Sequence, residues 1–178
     1  RMNLFRTHGI TKDKNLFDIQ SEGPWYYEQH ELGYNYRLTD LQAALGISQL
    51  KRIHRFIKKR HILREGYEKL IKSEDILLPK QDKNCYSALH LYPIQLRLEA
   101  LTLSKKEIFE SLRDQGLGVN LHYIPVHFHP YYKKLGFNRG DFPHAENYYK
   151  RAISIPMFPS MSNKDQEYVV STLLKTIK

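Results

Sequence analysis

Apolar residues recur at helical spacing along the segment that runs from about Leu41 to Lys72. The apolar residues in the second half of this segment are Ile53, Phe56, Ile57, Leu63, Tyr67, Leu70 and Ile71. This spacing predicts a long amphipathic helix. Thr39 and Gln42 stand three residues apart at its start, which is typical of a capping box, and Pro79 follows its end.

Shorter elements are predicted on either side of this helix. Residues 1–38 contain several glycines and Pro24, which indicates a short tail followed by loop. Leu89–Leu96 is predicted to form a strand, and its proline favours an edge position or a bulge. The remaining predicted elements are a helix from a capping box at Ser104 and Glu107 to Gly116, a strand over Val119–Ile124, one or two helical turns over Pro130–Leu135, a helix with Pro143 at its first position, a strand over Ile153–Ile155, and a last helix started by Ser162 and Asp165.

Helices that alternate with a few strands predict a small α+β domain beside the long helix. The length of 178 residues suits one domain or a little more. No apolar run approaches the roughly 18 residues of a membrane helix. The single cysteine, Cys85, excludes an intrachain disulfide and suits the cytoplasm. We therefore expect a soluble cytoplasmic protein without a membrane partner.

The formal net charge of +9 raises the question of nucleic-acid binding. Much of the positive charge lies between Lys51 and Lys72, interleaved with the apolar positions of the predicted helix. The cations are therefore expected on the outer face of an amphipathic helix, where a solvated surface is the simpler interpretation. No nucleic-acid-binding motif accompanies the charge, so we expect no nucleic-acid partner.

The segment Glu22–Leu50 combines an aromatic loop, the triplet Asn35-Tyr36-Arg37 and a helix start. Polar groups just ahead of a helix N-terminus favour anions, because the free N–H groups and the helix dipole both attract negative charge. A loop with a good cap is the alternative, and the residues alone leave both open.

Several blocks of the chain resemble the DegT-type aminotransferases, which aminate nucleotide-linked keto sugars. The blocks are LFRTHGI, GYNYRLTDLQAALGISQL, HLYPIQL, GVNLHYIPVHFHPYY and GDFPHAENYYKRAISIPMFP, followed by a final amphipathic helix. The run EGPWYYEQ is similar to the branch that acts on UDP-linked sugars in pseudaminic acid biosynthesis. The resemblance covers essentially the whole chain.

This resemblance implies an α+β fold, the small C-terminal domain of a fold-type I aminotransferase that uses pyridoxal 5'-phosphate (PLP). Residues 1–38 would then be the end of the large domain with a dimer and active-site loop, residues 39–72 the connecting helix, and residues 73–178 the small domain. The lysine-bearing large domain is expected upstream of Arg1. No lysine here matches the family's Schiff-base position, so we expect no catalytic residue in this chain and no activity from it alone.

For the whole protein the resemblance implies transamination at C4 of a UDP-4-keto-6-deoxy-N-acetylhexosamine, with L-glutamate as the amino donor, by a homodimer with a shared active site. Three alternatives stay open: an aminotransferase for a dTDP- or GDP-linked sugar, a dehydratase relative in which histidine replaces the lysine, and a basic nucleic-acid or protein-binding module.

The resemblance also implies site residues. Asn35 is expected to reach the cofactor phosphate of the partner subunit. Arg37 is suited to bind a phosphate or the carboxylate of the donor, and a structural salt bridge is its alternative. Tyr36, Trp25 and Tyr26 are suited to stack on uracil or sugar, or to clasp the partner subunit.

The close histidines His122, His127 and His129 raise the question of a metal site. No Cys, Asp or Glu lies within this run, so we expect no metal. His122 and Tyr123 instead match a family pair at the cleft between the domains, where His122 is expected to bond substrate oxygens. His127 is a further substrate-binding candidate, and His129 is expected at the surface or in packing.

Overall fold

The computed structural model describes residues 1–178 and has mixed helices and small antiparallel sheets, as the sequence predicts. The chain divides into two compact units, Arg1–Arg52 and Ile53–Lys178. None of its helices is both long enough and apolar enough to cross a membrane.

The first unit is built around one short antiparallel strand pair. Its elements are α1 (Met2–Arg6), β1 (Ile10–Thr11), a 3₁₀ turn (Lys14–Leu16), β2 (Glu28–Gln29) and α2 (Asp40–Leu50). Ile10 pairs with Gln29 and Thr11 with Glu28. The predicted tail and loop of residues 1–38 therefore contain more regular structure than the glycine-rich sequence indicates.

The second unit packs its helices on a three-stranded antiparallel sheet of order β3-β4-β5. Its helices and strands are α3 (Ile53–Leu70), β3 (Ile76–Leu77), β4 (Tyr92–Leu96), α4 (Lys105–Asp114), α5 (Pro130–Lys134), α6 (Pro143–Arg151), β5 (Ala152–Ile155) and α7 (Asn163–Thr176), with 3₁₀ turns at Leu98–Ala100 and Val126–Phe128. Alternate residues of β4 face the core. The core residues with almost no exposure include Leu63, Tyr67, Tyr92, Ile94, Leu112 and Leu173.

The local signals for helix ends are confirmed. Capping boxes start α2 at Thr39, α4 at Ser104 and α7 at Ser162. Pro143 occupies the first turn of α6. Gly116 follows α4 with φ +80°, and the Leu117 and Gly116 N–H groups donate to the carbonyls of Leu112 and Arg113 in a Schellman arrangement.

The single helix predicted over residues 39–72 is wrong in its continuity. The structure has two helices, α2 and α3, separated by a turn at Lys51–Arg52, and α3 ends at Leu70. The Arg52 guanidinium donates to the carbonyl and the hydroxyl of Ser48, which closes the end of α2. The break coincides with the boundary between the two units.

Two strand predictions also need correction. Val119–Ile124 is not a strand, because only Asn120 pairs with a neighbour, Ser154. The strand with Pro93 is central in the sheet rather than at its edge. The proline is tolerated because β3 pairs only with Gln95 and Leu96, so no β3 residue faces Pro93.

Arg60 of α3 departs clearly from the predicted outer face. Arg60 is half-buried, and one of its terminal nitrogens donates to the carbonyls of Leu89, His90 and Met157. Desolvation lowers the pKa of Arg60. This side chain therefore ties α3 to the segment that precedes β4 and to the segment that follows β5. Lys58, Lys69 and Lys72 are exposed as predicted.

Candidate functional site

The backbone around Asn35 is held by the N-terminal segment of its own unit. Asn35 forms an isolated antiparallel bridge with Thr7. The N–H groups of Tyr34 and Tyr36 donate to the carbonyls of Phe5 and Arg6 at 2.7 and 2.9 Å. These bonds fix the position of Asn35 just ahead of α2.

This close pairing depends on Gly33. A Cβ atom at this position would overlap the backbone nitrogen of Gly9 and the carbonyl carbon of His8. Only a residue without a side chain lets the two segments approach so closely. Gly33 therefore serves tight packing between these segments.

The side chains of Asn35 and Arg37 are both exposed and make no hydrogen bond or ion pair within the chain. The rings of Tyr34 and Tyr36 stack at 5.1 Å on the same side of the segment. Because side chains alternate along extended backbone, Asn35 projects from the opposite side. The amide and the guanidinium are thus free to bind an anion.

Trp25 and Tyr26 lie in different environments. Trp25 is 71% exposed, so its ring is available for contact. Tyr26 is half-buried, its ring meets Phe17 edge-on at 5.0 Å, and its hydroxyl donates to Glu28 at 2.9 Å. Desolvation, together with the Glu28 carboxylate, raises the pKa of Tyr26. Tyr26 therefore braces its own loop.

Sequence reasoning missed the cluster of Asp18, Glu28 and His30, whose ligand atoms lie within 4.8 Å of one another. Glu28 accepts hydrogen bonds from the N–H groups of Asp18 and Ile19, from Tyr26 and from His30. Desolvation opposes ionisation of Glu28, but these bonds outweigh it and lower its pKa. Both carboxylate oxygens are already filled by protein donors, so the cluster joins the two ends of the loop. The three residues are separated along the sequence and come together only in the folded structure, so no local pattern predicts the cluster.

His122 is half-buried beside β5. Its Nδ1 atom lies 2.9 Å from Oγ of Ser154, and the ring of Tyr123 meets it edge-on at 4.7 Å. The other ring nitrogen has no hydrogen-bond partner in the chain. Tyr123 is exposed. The pair can therefore offer one imidazole nitrogen and one phenol to a ligand.

His127 occupies a packed site. It is 6% exposed, and its Nε2 atom lies 2.8 Å from Oε1 of Glu146. The same oxygen accepts from the Gly140 N–H, and hydrogen bonding with His127 lowers the pKa of Glu146. The rings of Phe128 and Phe142 lie 4.6 and 4.8 Å from the imidazole. This geometry favours a structural role for His127.

The three nearby histidines have separate surroundings. His122 bonds to Ser154, His127 bonds to Glu146, and His129 is exposed at the start of α5. The only close group of metal-ligating side chains in residues 1–178 is the one at Asp18. Of the predicted site residues, Trp25, Tyr26, Asn35, Tyr36 and Arg37 belong to the first unit, and His122, Tyr123 and His127 belong to the second.

The sequence and the fold of this chain are similar to those of known proteins. A model of the DegT/DnrJ/EryC1/StrS aminotransferase family matches residues 1–174. The UDP-4-amino-4,6-dideoxy-N-acetyl-beta-L-altrosamine transaminase of Campylobacter jejuni is 37% identical over 100% of this chain and 45% of its own length. The spore coat polysaccharide biosynthesis protein SpsC of Bacillus subtilis is 36% identical over 100% of this chain and 46% of its own length.

A solved structure agrees with these relatives. Helicobacter pylori PseC, described as an aminotransferase involved in pseudoaminic acid biosynthesis, superposes with a TM-score of 0.83 at 30% identity. The match covers 99% of this chain and 45% of PseC. The chain thus spans a little under half the length of the curated relatives that it matches.

Proposed function

The chain belongs to the DegT/DnrJ/EryC1/StrS aminotransferase family, and on that premise we propose that the whole protein aminates a nucleotide sugar. The substrate is a UDP-4-keto-6-deoxy-N-acetylhexosamine, the amino group enters at C4, and L-glutamate is the donor. The identity that spans the full chain to the Campylobacter jejuni transaminase carries this proposal. The amino sugar would serve a surface glycan such as one containing pseudaminic acid.

The proposed cofactor of the whole protein is PLP, which supplies an electron sink for the amino transfer. The exposed, unpartnered amide of Asn35 fits a phosphate contact, because it donates a hydrogen bond without adding charge. In the proposed homodimer, Asn35 of one protomer binds the cofactor phosphate in the site of its partner. The Schiff-base lysine would come from outside these residues.

The other residues bind and orient the two substrates. Arg37 uses its planar fork to bind the donor carboxylate or a phosphate. Trp25 and Tyr36 offer exposed rings to uracil or to the C–H face of the sugar. His122 and Tyr123 bond sugar-nucleotide oxygens. Tyr26 and His127 support the loops that carry these groups.

The test is amination by the full-length protein. It is mixed with PLP, ¹⁵N-labelled L-glutamate and, in separate reactions, UDP-, dTDP- and GDP-linked 4-keto-6-deoxy sugars. We expect a ¹⁵N-labelled amino sugar from the UDP substrate, detected by mass, and none from the 178-residue chain alone. Product from only a dTDP or GDP sugar would overturn the choice of nucleotide. Loss of water without amination would indicate a dehydratase, and no product from any sugar would refute the aminotransferase proposal.

A further inference from the structure

Ser154 is the only polar side chain in the fully buried strand β5. The residue is 5% exposed, and its neighbours in the strand are Ala152, Ile153 and Ile155. Its backbone N–H donates to the Asn120 carbonyl at 2.7 Å, and its carbonyl accepts from the Asn120 N–H at 3.1 Å. On the other side it pairs with Pro93 of β4. The hydroxyl is therefore carried by backbone that is held on both sides.

The only hydrogen-bond partner of this hydroxyl is the Nδ1 atom of His122, at 2.9 Å. A neutral imidazole carries its proton on one nitrogen and accepts at the other. If Nδ1 carried the proton, it would donate to Ser154, and the hydroxyl hydrogen of Ser154 would lack an acceptor in a buried place. Leaving a buried donor unpaired is costly. The arrangement that satisfies both groups has the serine O–H donating to Nδ1, with the histidine proton on Nε2.

We propose that Ser154 is a positioning residue that holds His122 as the neutral Nε2–H tautomer, so that this N–H donates to an oxygen of the nucleotide sugar. The second half of this statement rests on the proposed function, since it needs a sugar nucleotide as the ligand. The first half concerns only the chain itself. The acceptor is a sugar oxygen or a phosphate oxygen, and both present the same chemistry to an N–H donor.

The tautomer is measured directly by ¹⁵N NMR of histidine-labelled full-length protein. We expect His122 to show a protonated Nε2 and an unprotonated Nδ1 that accepts a hydrogen bond. His122→Gln assigns the signals by removing them. In Ser154→Val the Nδ1 signal should shift towards that of a free acceptor and the second tautomer should appear. A proton on Nδ1 in the unmodified protein, or identical spectra in the two proteins, would overturn the proposal. This readout does not depend on activity, so it separates failure of the tautomer from failure of the proposed function.

A matched pair of variants tests the consequence for binding. Threonine and valine have nearly the same shape, but only threonine keeps the hydroxyl. We expect Ser154→Thr to bind UDP-sugar with about the native Kd, and Ser154→Val to bind it about fivefold to tenfold more weakly, as for the loss of one well-placed hydrogen bond. Equal affinities in the two variants would refute positioning by the hydroxyl.

Two further arms locate the acceptor. A loss for UDP-sugar that is absent for UDP places the acceptor on the sugar, and an equal loss for both places it on the diphosphate. A loss for neither contradicts the proposal. The amide of His122→Gln presents an N–H donor near the position of Nε2 without a tautomer to set, so adding Ser154→Val to His122→Gln should have little further effect on the Kd. A full additional loss in that double variant would show that Ser154 acts by another route.

Discussion

A single glycine fixes the loop that carries Asn35. Because a Cβ at Gly33 would overlap backbone atoms of His8 and Gly9, we expect Gly33→Ala to push the two segments apart. The cost should be about 1–3 kcal/mol of unfolding free energy, as for other overpacked sites. Denaturant unfolding of the full-length protein measures it. Gly118→Ala is the control, since nothing lies near its Cβ position, and equal stability of the two variants would contradict this account.

The bond between His127 and Glu146 should make stability depend on pH. The pKa of Glu146 lies below its ordinary value of 4.5 in the folded protein. Its carboxylate therefore stabilises the fold above about pH 4.5, and this contribution disappears as the pH falls through the lowered pKa. We expect Glu146→Gln to lower the Tm at pH 7 and to have less effect below pH 4.

The control for this comparison is Glu110→Gln. Glu110 is exposed and lies 3.8 Å from Lys106, so its pair should contribute little. A gap between Glu146→Gln and the unmodified protein that stays constant from pH 7 to pH 3 would show that the ionised carboxylate is not the source of the stability.

Residue type could be predicted from the sequence more readily than residue environment. Asn35 and Arg37 stand exposed before a helix start, as the local pattern indicates. The burial of His127 depends on Glu146, nineteen positions along the chain. The bond between His122 and Ser154 spans thirty-two positions. No local pattern predicts such partners, because they come together only when the sheet and α6 pack in the folded chain.

At the scale of elements, the packing of α3 against α7 requires a glycine at position 66. The backbone of Gly66 in α3 packs against Gln166 of α7, whose amide nitrogen donates to the Leu63 carbonyl at 2.6 Å. A Cβ at Gly66 would overlap the amide oxygen of Gln166. Alanine usually stabilises an exposed helix position relative to glycine. Here we expect the opposite sign for Gly66→Ala, a loss of about 1–3 kcal/mol.

The double variant Gly66→Ala with Gln166→Ala gives this expectation its sharpest check. Removing the glutamine side chain makes room for the new methyl group. The double variant should therefore lose less unfolding free energy than the sum of the losses in the two single variants. Denaturant unfolding of all four proteins gives the coupling free energy. Strict additivity would show that the two residues do not meet as the structure has them.

Helix ends were predictable because their signals are local. A serine or threonine followed three residues later by a side chain that reaches back satisfies backbone groups wherever the helix goes. The break between α2 and α3 has no glycine or proline to mark it. A change of pattern does occur there, since α2 is apolar on several sides whereas α3 is amphipathic. The failed strand at Val119–Ile124 shows the reverse limit, because alternation cannot reveal how far a partner strand extends.

At the scale of the whole molecule, α2 has no buried residue although much of it is apolar. Leu41 is 83% exposed, and Leu45, Ile47 and Leu50 are also exposed. Apolar surface of this extent is typical of an interface rather than of a free surface. The pattern of residues alone predicts the helix but not the exposure of its apolar side chains.

A shared active site can be tested by mixing two inactive proteins. In the proposed homodimer, Asn35 serves the cofactor in the site of its partner, whereas the lysine serves its own. Asn35→Asp should nearly abolish activity, because its carboxylate repels the phosphate. Replacement of the Schiff-base lysine should abolish it outright. Random mixing by co-expression gives heterodimers with one intact site, so activity should return to about a quarter of the native value. If Asn35 instead acted within its own protomer, each of the two sites in the heterodimer would lack either Asn35 or the lysine, and mixing would restore nothing. The Asn35→Ala chain, which loses the contact without repulsion, should keep weaker cofactor binding and serves as the control.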